Sequence, residues 1–301
     1  MKSESEHSRT QGETAGRGKI KRVVILTHGE PGVARDALKE SLGFLRERGV
    51  EVLAPPNEWN KHGGVLGANG GAVLVAGAKE LAGVGLCLVL GRDGTMLQAF
   101  HLTRNLSIPV AGVNLGRVGF LTTLETDQLT EGLARLLAYE FQEYPLLGLE
   151  ATVKNETFRA TNDVVVVKGE RSHVGSLALI INGVTMFEVL CDGVVVAAPA
   201  GSSAYSLAAG GPLLGISVDA YVISLVAPHA VGVRPVVAAP QDILEIVNTD
   251  DEGLSYVDID GQRLATLPPG EVVRINTTPG MASLALLEGD SLYQHFRDRL
   301  L

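Results

Sequence analysis

The chain has 301 residues, enough for one large domain or two ordinary ones with separate cores, and two are expected. Apolar residues make up 46% and aromatics only 5%, so the core must be built from Val, Leu, Ala and Ile, as buried parallel strands under helices tend to be. A net charge of −9 excludes a protein whose main business is nonspecific nucleic-acid binding, yet leaves room for an anionic small ligand held by backbone N–H groups in a cleft.

Residues 1–18 are polar and lack the apolar stretch of a signal peptide, which predicts a disordered tail. IKRVVILTH (20–28) then reads as a strand, ARDALKESLGFLRERG (34–49) as a helix ending at Gly49, and VEVLA (50–54) as a second strand. That β-α-β opening makes a parallel sheet the expectation. The segment 55–77, rich in Gly, Pro and Asn, is open between a mobile loop and a weak helix. GLCLVL (85–90) and IPVAGVN (108–114) supply two more buried strands with a helix between them.

From about Tyr144 the texture changes to short β-branched runs separated by turn residues such as Asn182-Gly183 and Asp260-Gly261, so the second half is mostly sheet. The expected organisation is an α/β domain with a parallel sheet over residues 19–140 and a β-rich domain over 141–280. A 281–301 segment follows, a strand and a short helix that dock back onto the first domain. Cys87 and Cys191 lie inside apolar runs without metal-site spacing and read as buried structural thiols. No apolar run reaches the ~20 residues that span a bilayer, so a cytoplasmic protein with no membrane partner is expected.

The chemistry concentrates at GRDGT, Gly91 to Thr95, where a buried strand ends and a helical pattern begins. Glycines there let the chain turn and a ligand approach the main chain. Thr95 can cap the helix, whose N-terminal N–H groups favour an anion. Asp93 falls at the carboxyl edge of the sheet, where open α/β folds bind ligands. Its carboxylate is suited to orienting or deprotonating a hydroxyl, or to holding Mg²⁺ against phosphate; the plainer alternative is a capping Asp in an ordinary turn.

Gly91 to Leu97 resembles the GGDGT phosphate motif shared by NAD kinases, lipid kinases and phosphofructokinases. Further blocks choose among those relatives. VAGVNLGRVGFLTTL (110–124), TNDVVVV (161–167), DGVVVAAPAGSSAYSLAAGGPLL (192–214), APHAVGVRPVV (227–237) and VDIDGQ (257–262) resemble, in the same order, segments of NAD kinases. The resemblance covers nearly everything from Ile20 to about Asn276 and implies the two-domain NAD kinase fold, with the site in the cleft between domains.

It further implies transfer of a phosphoryl group from ATP or polyphosphate to the 2′-hydroxyl of the adenosine ribose of NAD, with Mg²⁺ or another divalent metal as cofactor, in a homodimer or homotetramer. Asp93 would be the catalytic carboxylate, and Gly91, Arg92, Gly94 and Thr95 the phosphate turn. Phe120 would stack on adenine; Asn162, Asp163 and Asp192 would bind adenine or ribose; Ser203, Ala204 and Tyr205 would line the NAD site. His229, Arg234 and Pro235 would shape the sheet and subunit contacts. Asp260 and Gly261 either approach the nicotinamide end or form a plain hairpin turn.

The sequence departs from the family pattern in four places, one of them Asp163, where the family more often has Glu and the reach is one methylene longer. Arg92 replaces Gly, at a cost of about 1–2 kcal/mol if the position needs positive φ, but with a guanidinium able to grip phosphate. Ala200 and Ala208 each replace a hydroxyl-bearing residue. A non-catalytic NAD-binding sensor and a lipid kinase sharing the glycine-rich turn are the rival readings; the GSSAYS block speaks against the second.

Overall fold

The computed structural model describes residues 19–67, 71–75, 77–116, 119–122, 124–169 and 175–300. The expected tail at 1–18 and parts of the 55–77 segment (68–70 and 76) lie outside the described residues. The first half runs β1 (Arg22–Thr27), α1 (Pro31–Glu47), β2 (Glu51–Ala54), α2 (Pro56–Leu66), β3 (Val73–Leu74), β4 (Leu86–Gly91), α3 (Asp93–Thr103), β5 (Pro109–Asn114), β6 (Leu124–Glu125), α4 (Leu129–Leu137) and β7 (Phe141–Pro145). Every residue of β4 and β5 is buried, the pattern of parallel strands covered on both faces. In α1, Ala34, Leu38, Ser41, Leu42 and Leu45 form the buried stripe, with Pro31 opening the helix. The open segment is settled as helix over 56–66, kinked at His62 (φ −134°, ψ 19°), with Glu58, His62 and Leu66 as its buried residues.

The second half contributes β8 (Gly148–Val153), β9 (Glu156–Ala160), β10 (Asp163–Lys168), β11 (Gly175–Ile181), β12 (Val184–Cys191), β13 (Gly193–Ala197), α5 (Tyr205–Ala208), β14 (Tyr221–Val226), β15 (Val236–Ala238), β16 (Leu244–Asn248), β17 (Ser255–Ile259), β18 (Gln262–Leu267) and β19 (Val272–Thr278). The chain closes with β20 (Ser283–Leu287) and α6 (Leu292–Leu300). Among the described residues the first sheet has the order β3-β2-β1-β4-β5-β20-β7, with β6 beside β5, so two of its strands follow residue 140. Two antiparallel sheets, β15-β14-β13-β10-β17-β18 and β12-β11-β16-β19-β8-β9, enclose the second core, around Leu149, Val164, Val194, Leu244 and Ile275.

Alternation along β1 and β4 divides the first half into two cores. Val23, Ile25, Leu86, Leu88 and Leu90 face α1 and α4, whereas Val24, Leu26, Cys87 and Val89 face Phe100 of α3 and Leu292 of α6. From β1 the chain builds outward to β2 and β3, then returns to lay β4 on the other side of β1. The strand order therefore reverses between β1 and β4, and the crevice outside their carboxyl ends is where such sheets take ligands. Both cysteines are buried and unpaired, and burial raises both thiols, Cys191 to about 11. No helix among the described residues is long and apolar enough to cross a membrane.

Candidate active site

GRDGT sits at that crevice. The turn after β1 is bound to it, since the His28 N–H donates to Leu90 O at 2.8 Å. Arg92, not Thr95, is the residue that caps α3, and its extended backbone (φ −130°, ψ −177°) needs no positive φ. The expected strain at Arg92 is therefore absent. Thr95 lies within the first helical turn, 5% exposed, with its Oγ1 2.5 Å from where a Cβ on Gly91 would stand. Gly91 is required by that close approach. Gly94 is exposed, with nothing within 4 Å of a Cβ position, so the N-terminal turn of α3 opens outward.

Asp93 is oriented by the main chain. Its carboxylate accepts the N–H of Phe120 at 3.0 Å and of Leu121 at 3.1 Å, from the loop after β5. The ring of Phe120, expected on an adenine, is 4% exposed and packs edge-on against Phe296 with ring centroids 5.5 Å apart. Its backbone N–H, not its ring, is the group turned to Asp93. Arg92 is exposed and has no hydrogen-bond or ion-pair partner among the described residues; its guanidinium lies over Gly116, 2.7 Å from a Cβ position there.

The second half brings Asn162 and Asp163 to the same region. Ala197 pairs with Asp163 in the β10–β13 ladder, and the Ala198 N–H donates to Asn162 O at 2.9 Å. The turn 200–203 then lies flat on Asn162: a Cβ at Gly201 would stand 2.1 Å from Asn162 O. This close packing explains the glycine of the GSSAYS block. Ser202 and Ser206 are buried and spent on structure, Ser202 Oγ on Pro199 O at 2.7 Å and Ser206 Oγ on Ser224 Oγ at 3.0 Å. Ser203 is half-buried, while Ala204 and Tyr205 (42% exposed) face outward. Ala200 is buried in the apolar cluster of Phe120 and Leu121, where its methyl leaves no hydroxyl to satisfy.

Two polar groups here are out of the ordinary. Asn162 Oδ1 is buried without a hydrogen-bond partner among the described residues, the state of an acceptor awaiting a donor. The Asp163 carboxyl, 6% exposed, is raised to about 7 by burial and then by the Asp260 carboxylate. Asp192 is placed elsewhere: it precedes β13 at the end away from Asp163, about 15 Å along the ladder, and pairs with Lys168 Nζ at 2.6 Å.

Sequence reasoning missed one group of residues outright and, for Asp260, which it did single out, missed the partner His101. Lys61 Nζ donates to Thr27 O at 2.9 Å and pairs with Glu58 Oε1 at 2.6 Å, and Thr27 Oγ1 bonds Glu58 and His62, fixing the end of β1 beside GRDGT. Asp260, in a hairpin turn between β17 and β18, is met by His101 of α3. The deciding links are long-range: Thr27 and Glu58 are 31 positions apart and His101 and Asp260 159, so only Glu58, Lys61 and His62 share a local spacing, and that spacing does not point to the end of β1.

Residues 22–141 match the ATP-NAD kinase N-terminal domain and residues 161–287 the ATP-NAD kinase C-terminal domain. An NAD kinase of Desulforamulus reducens is 32% identical over 287 residues, 92% of this chain and 96% of that protein. Among solved structures, yeast NADH kinase complexed with NADH superposes with a TM-score of 0.80 at 21% identity, covering 94% of this chain and 87% of that one. An Archaeoglobus fulgidus NAD kinase in complex with ATP gives 0.67 at 21% identity, covering 92% and 99%. By both domains and by the relative matched along nearly its whole length, the chain belongs to the ATP-NAD kinase family.

Proposed function

We propose that the protein transfers the γ-phosphoryl group of ATP to the 2′-hydroxyl of the adenosine ribose of NAD, giving NADP. The observation that carries this reading is Asp93: a carboxylate oriented by two main-chain N–H groups, at the opening turn of α3 and at the switch point of the sheet. So oriented, it accepts the hydrogen bond of the attacking hydroxyl and takes its proton as the bond to phosphorus forms. ADP leaves on the opposite side, so the phosphoryl group passes between two oxygens held in line.

The free guanidinium of Arg92 and the outward N–H groups of α3 are suited to the phosphate oxygens. Asn162 Oδ1 would take a donor from the nucleoside, Asp163 would face its hydroxyls, and Ser203, Ala204 and Tyr205 would line the wall beside them. A divalent ion fits this donor set as a guest of the nucleotide. Among the described residues no three His, Cys, Asp or Glu side chains form a cage, but Mg²⁺ commonly rests on one or two carboxylates plus phosphate oxygens, and Asp93 is the carboxylate at hand. When bound, the ion supplies charge screening for the transferring group.

The yeast NADH kinase was solved with NADH and the Archaeoglobus enzyme with ATP, which supports these two substrate classes. The same reading includes a homodimer or homotetramer. Its support is the apolar exposure of Val184, Leu190 and Val231, at 61%, 49% and 99%, with the His229 N–H on Leu190 O joining loop to strand. A cytoplasmic setting accords with the two unpaired thiols.

The test is NADP formation by purified protein with NAD, Mg²⁺ and either ATP or polyphosphate, beside Asp93→Asn. Activity is expected in the wild type and a loss of at least about 10³-fold in the variant, the scale of a general base plus its alignment. Binding of NAD without turnover on any donor would replace the kinase with a sensor.

A further inference from the structure

Asp260 joins the two halves of the proposed site. It opens the β17–β18 hairpin in the left-handed region (φ 48°), which Asp tolerates better than most residues, and its side chain is 1% exposed. Four donors meet that one carboxylate. Oδ1 accepts the N–H of Asn162 at 2.7 Å and of Asp163 at 3.1 Å; Oδ2 accepts the N–H of Thr161 at 2.8 Å and faces His101 Nε2 at 2.6 Å. The three N–H groups belong to the turn that presents Asn162 and Asp163. The imidazole belongs to α3, whose first residue is Asp93 and whose axis separates the two by about 12 Å.

A buried carboxylate is costly unless its oxygens are satisfied, and this one is satisfied from both halves at once. Arg104, at the end of α3, reinforces the same seam by donating to Arg159 O at 3.2 Å. His101 donates from Nε2 whether the ring is the neutral tautomer protonated there or the imidazolium, so the contact needs no particular charge state.

We propose that His101 and Asp260 are positioning residues for the transfer. Asp260 fixes the backbone of the 161–163 turn, and His101 locks that turn to the helix of Asp93, thereby setting the gap between the carboxylate and the acceptor hydroxyl. The inference rests on the kinase reading above and adds to it a division of labour. Asp260 governs nucleoside binding, because three of its four donors are in the binding turn. His101 governs alignment, because its loss leaves that turn tied to Asp260 but frees it from α3.

Alignment errors of an ångström cost up to about 100-fold in rate. In the full chain, His101→Ala is therefore expected to lower kcat by about tenfold or more, while the NAD dissociation constant measured by calorimetry stays within about twofold. His101→Gln, which can place an amide N–H near the Nε2 position, should recover kcat to within about threefold of wild type, and the apolar His101→Leu should not. Asp260→Asn should weaken NAD binding about tenfold or more, since an amide cannot accept from donors on both sides. The Gln and Leu variants, both filling the site, carry the comparison even where the alanine variant is unstable.

An active wild type with unchanged kcat in His101→Ala and His101→Leu would overturn the inference alone. So would a loss in His101→Leu that the Gln variant shares, or one that appears as NAD affinity. A wild type that forms no NADP with any donor would overturn the kinase reading and this inference together.

Discussion

Asp163 carries a consequence that can be measured without any turnover. Its carboxyl is held near pH 7 by burial and by the neighbouring Asp260, against 3.8 for the ordinary side chain. A native state that raises a pKa prefers the protonated form, so the stabilisation is complete below about 3.8 and is lost as pH climbs to about 7. The amide of an Asp163→Asn variant has no proton to release. Denaturant midpoints at pH 5 and pH 8 should therefore show that variant gaining on the wild type by about 2–3 kcal/mol across that interval, about two units at 1.4 kcal/mol each. A difference that stays constant with pH would mean that the carboxyl is ionised throughout and that burial is offset by bonds within the turn. The same residue shows what a sequence can and cannot disclose. TNDVVVV marks Asp163 as a site residue through its resemblance to a family block, but its titration depends on Asp260, which is 97 positions away.

The 200–203 turn and the 161–163 turn behave as one element, because the Gly201 backbone leaves no room for a side chain over Asn162. Alanine at 201 would put Cβ 2.1 Å from Asn162 O and 2.4 Å from its carbonyl carbon, and both are main-chain atoms that cannot swing aside. Gly201→Ala is expected to cost about 1–3 kcal/mol, the range for overpacking. It should raise the KM for NAD more than the KM for ATP, because the 200–203 turn packs on Asn162, whereas GRDGT opens α3 in the first half of the chain. Thermal unfolding with two-substrate kinetics checks both parts, and equal rises in the two KM values would show that the turns move independently of the nucleoside. Elements such as β4 and α1 were legible because their periodicity is carried by apolar residues. By contrast α2 was not, since the residues it buries at helical spacing are Glu58 and His62 as well as Leu66, and two of those three read as surface positions. Thr95 misled for a different reason: the cap position is held by Arg92, which is outside the preferred cap types and makes no side-chain cap hydrogen bond, so the nearby hydroxyl was the natural but wrong choice.

The chain is more interlaced than two successive halves. β20 lies between β5 and β7 in the first sheet, so the last strand is gripped by the domain that begins the protein. The cluster beneath that sheet collects Met96 and Phe100 of α3, Phe120 and Leu121 of the loop that holds Asp93, Ala200 and Ile216 of the second half, and Leu292 of α6. The alternation of β1 and β4 foretells a two-faced sheet, but which distant segments cover each face is a matter of tertiary packing that no local pattern encodes. The final helix is the sharpest case. Phe296 meets Phe120 edge-on at 5.5 Å, and Tyr293 meets Phe296 at 6.0 Å, so a file of rings runs from the C-terminus to the loop whose N–H groups orient Asp93. An aromatic pair of this kind contributes about 0.5–1.5 kcal/mol beyond its buried area. Removing Phe296 also unpacks one side of a ring that is 4% exposed, so the Phe120 loop gains freedom. Phe296→Ala is expected to lower kcat several-fold, because the carboxylate then loses its fixed direction. Phe296→Leu, which keeps most of the volume, should recover the greater part. Steady-state kinetics beside melting curves separate the two roles: a variant that melts earlier yet turns over at the wild-type rate would confine α6 to stability, whereas a fall in kcat at temperatures well below the melting point ties the end of the chain to the chemistry near its beginning.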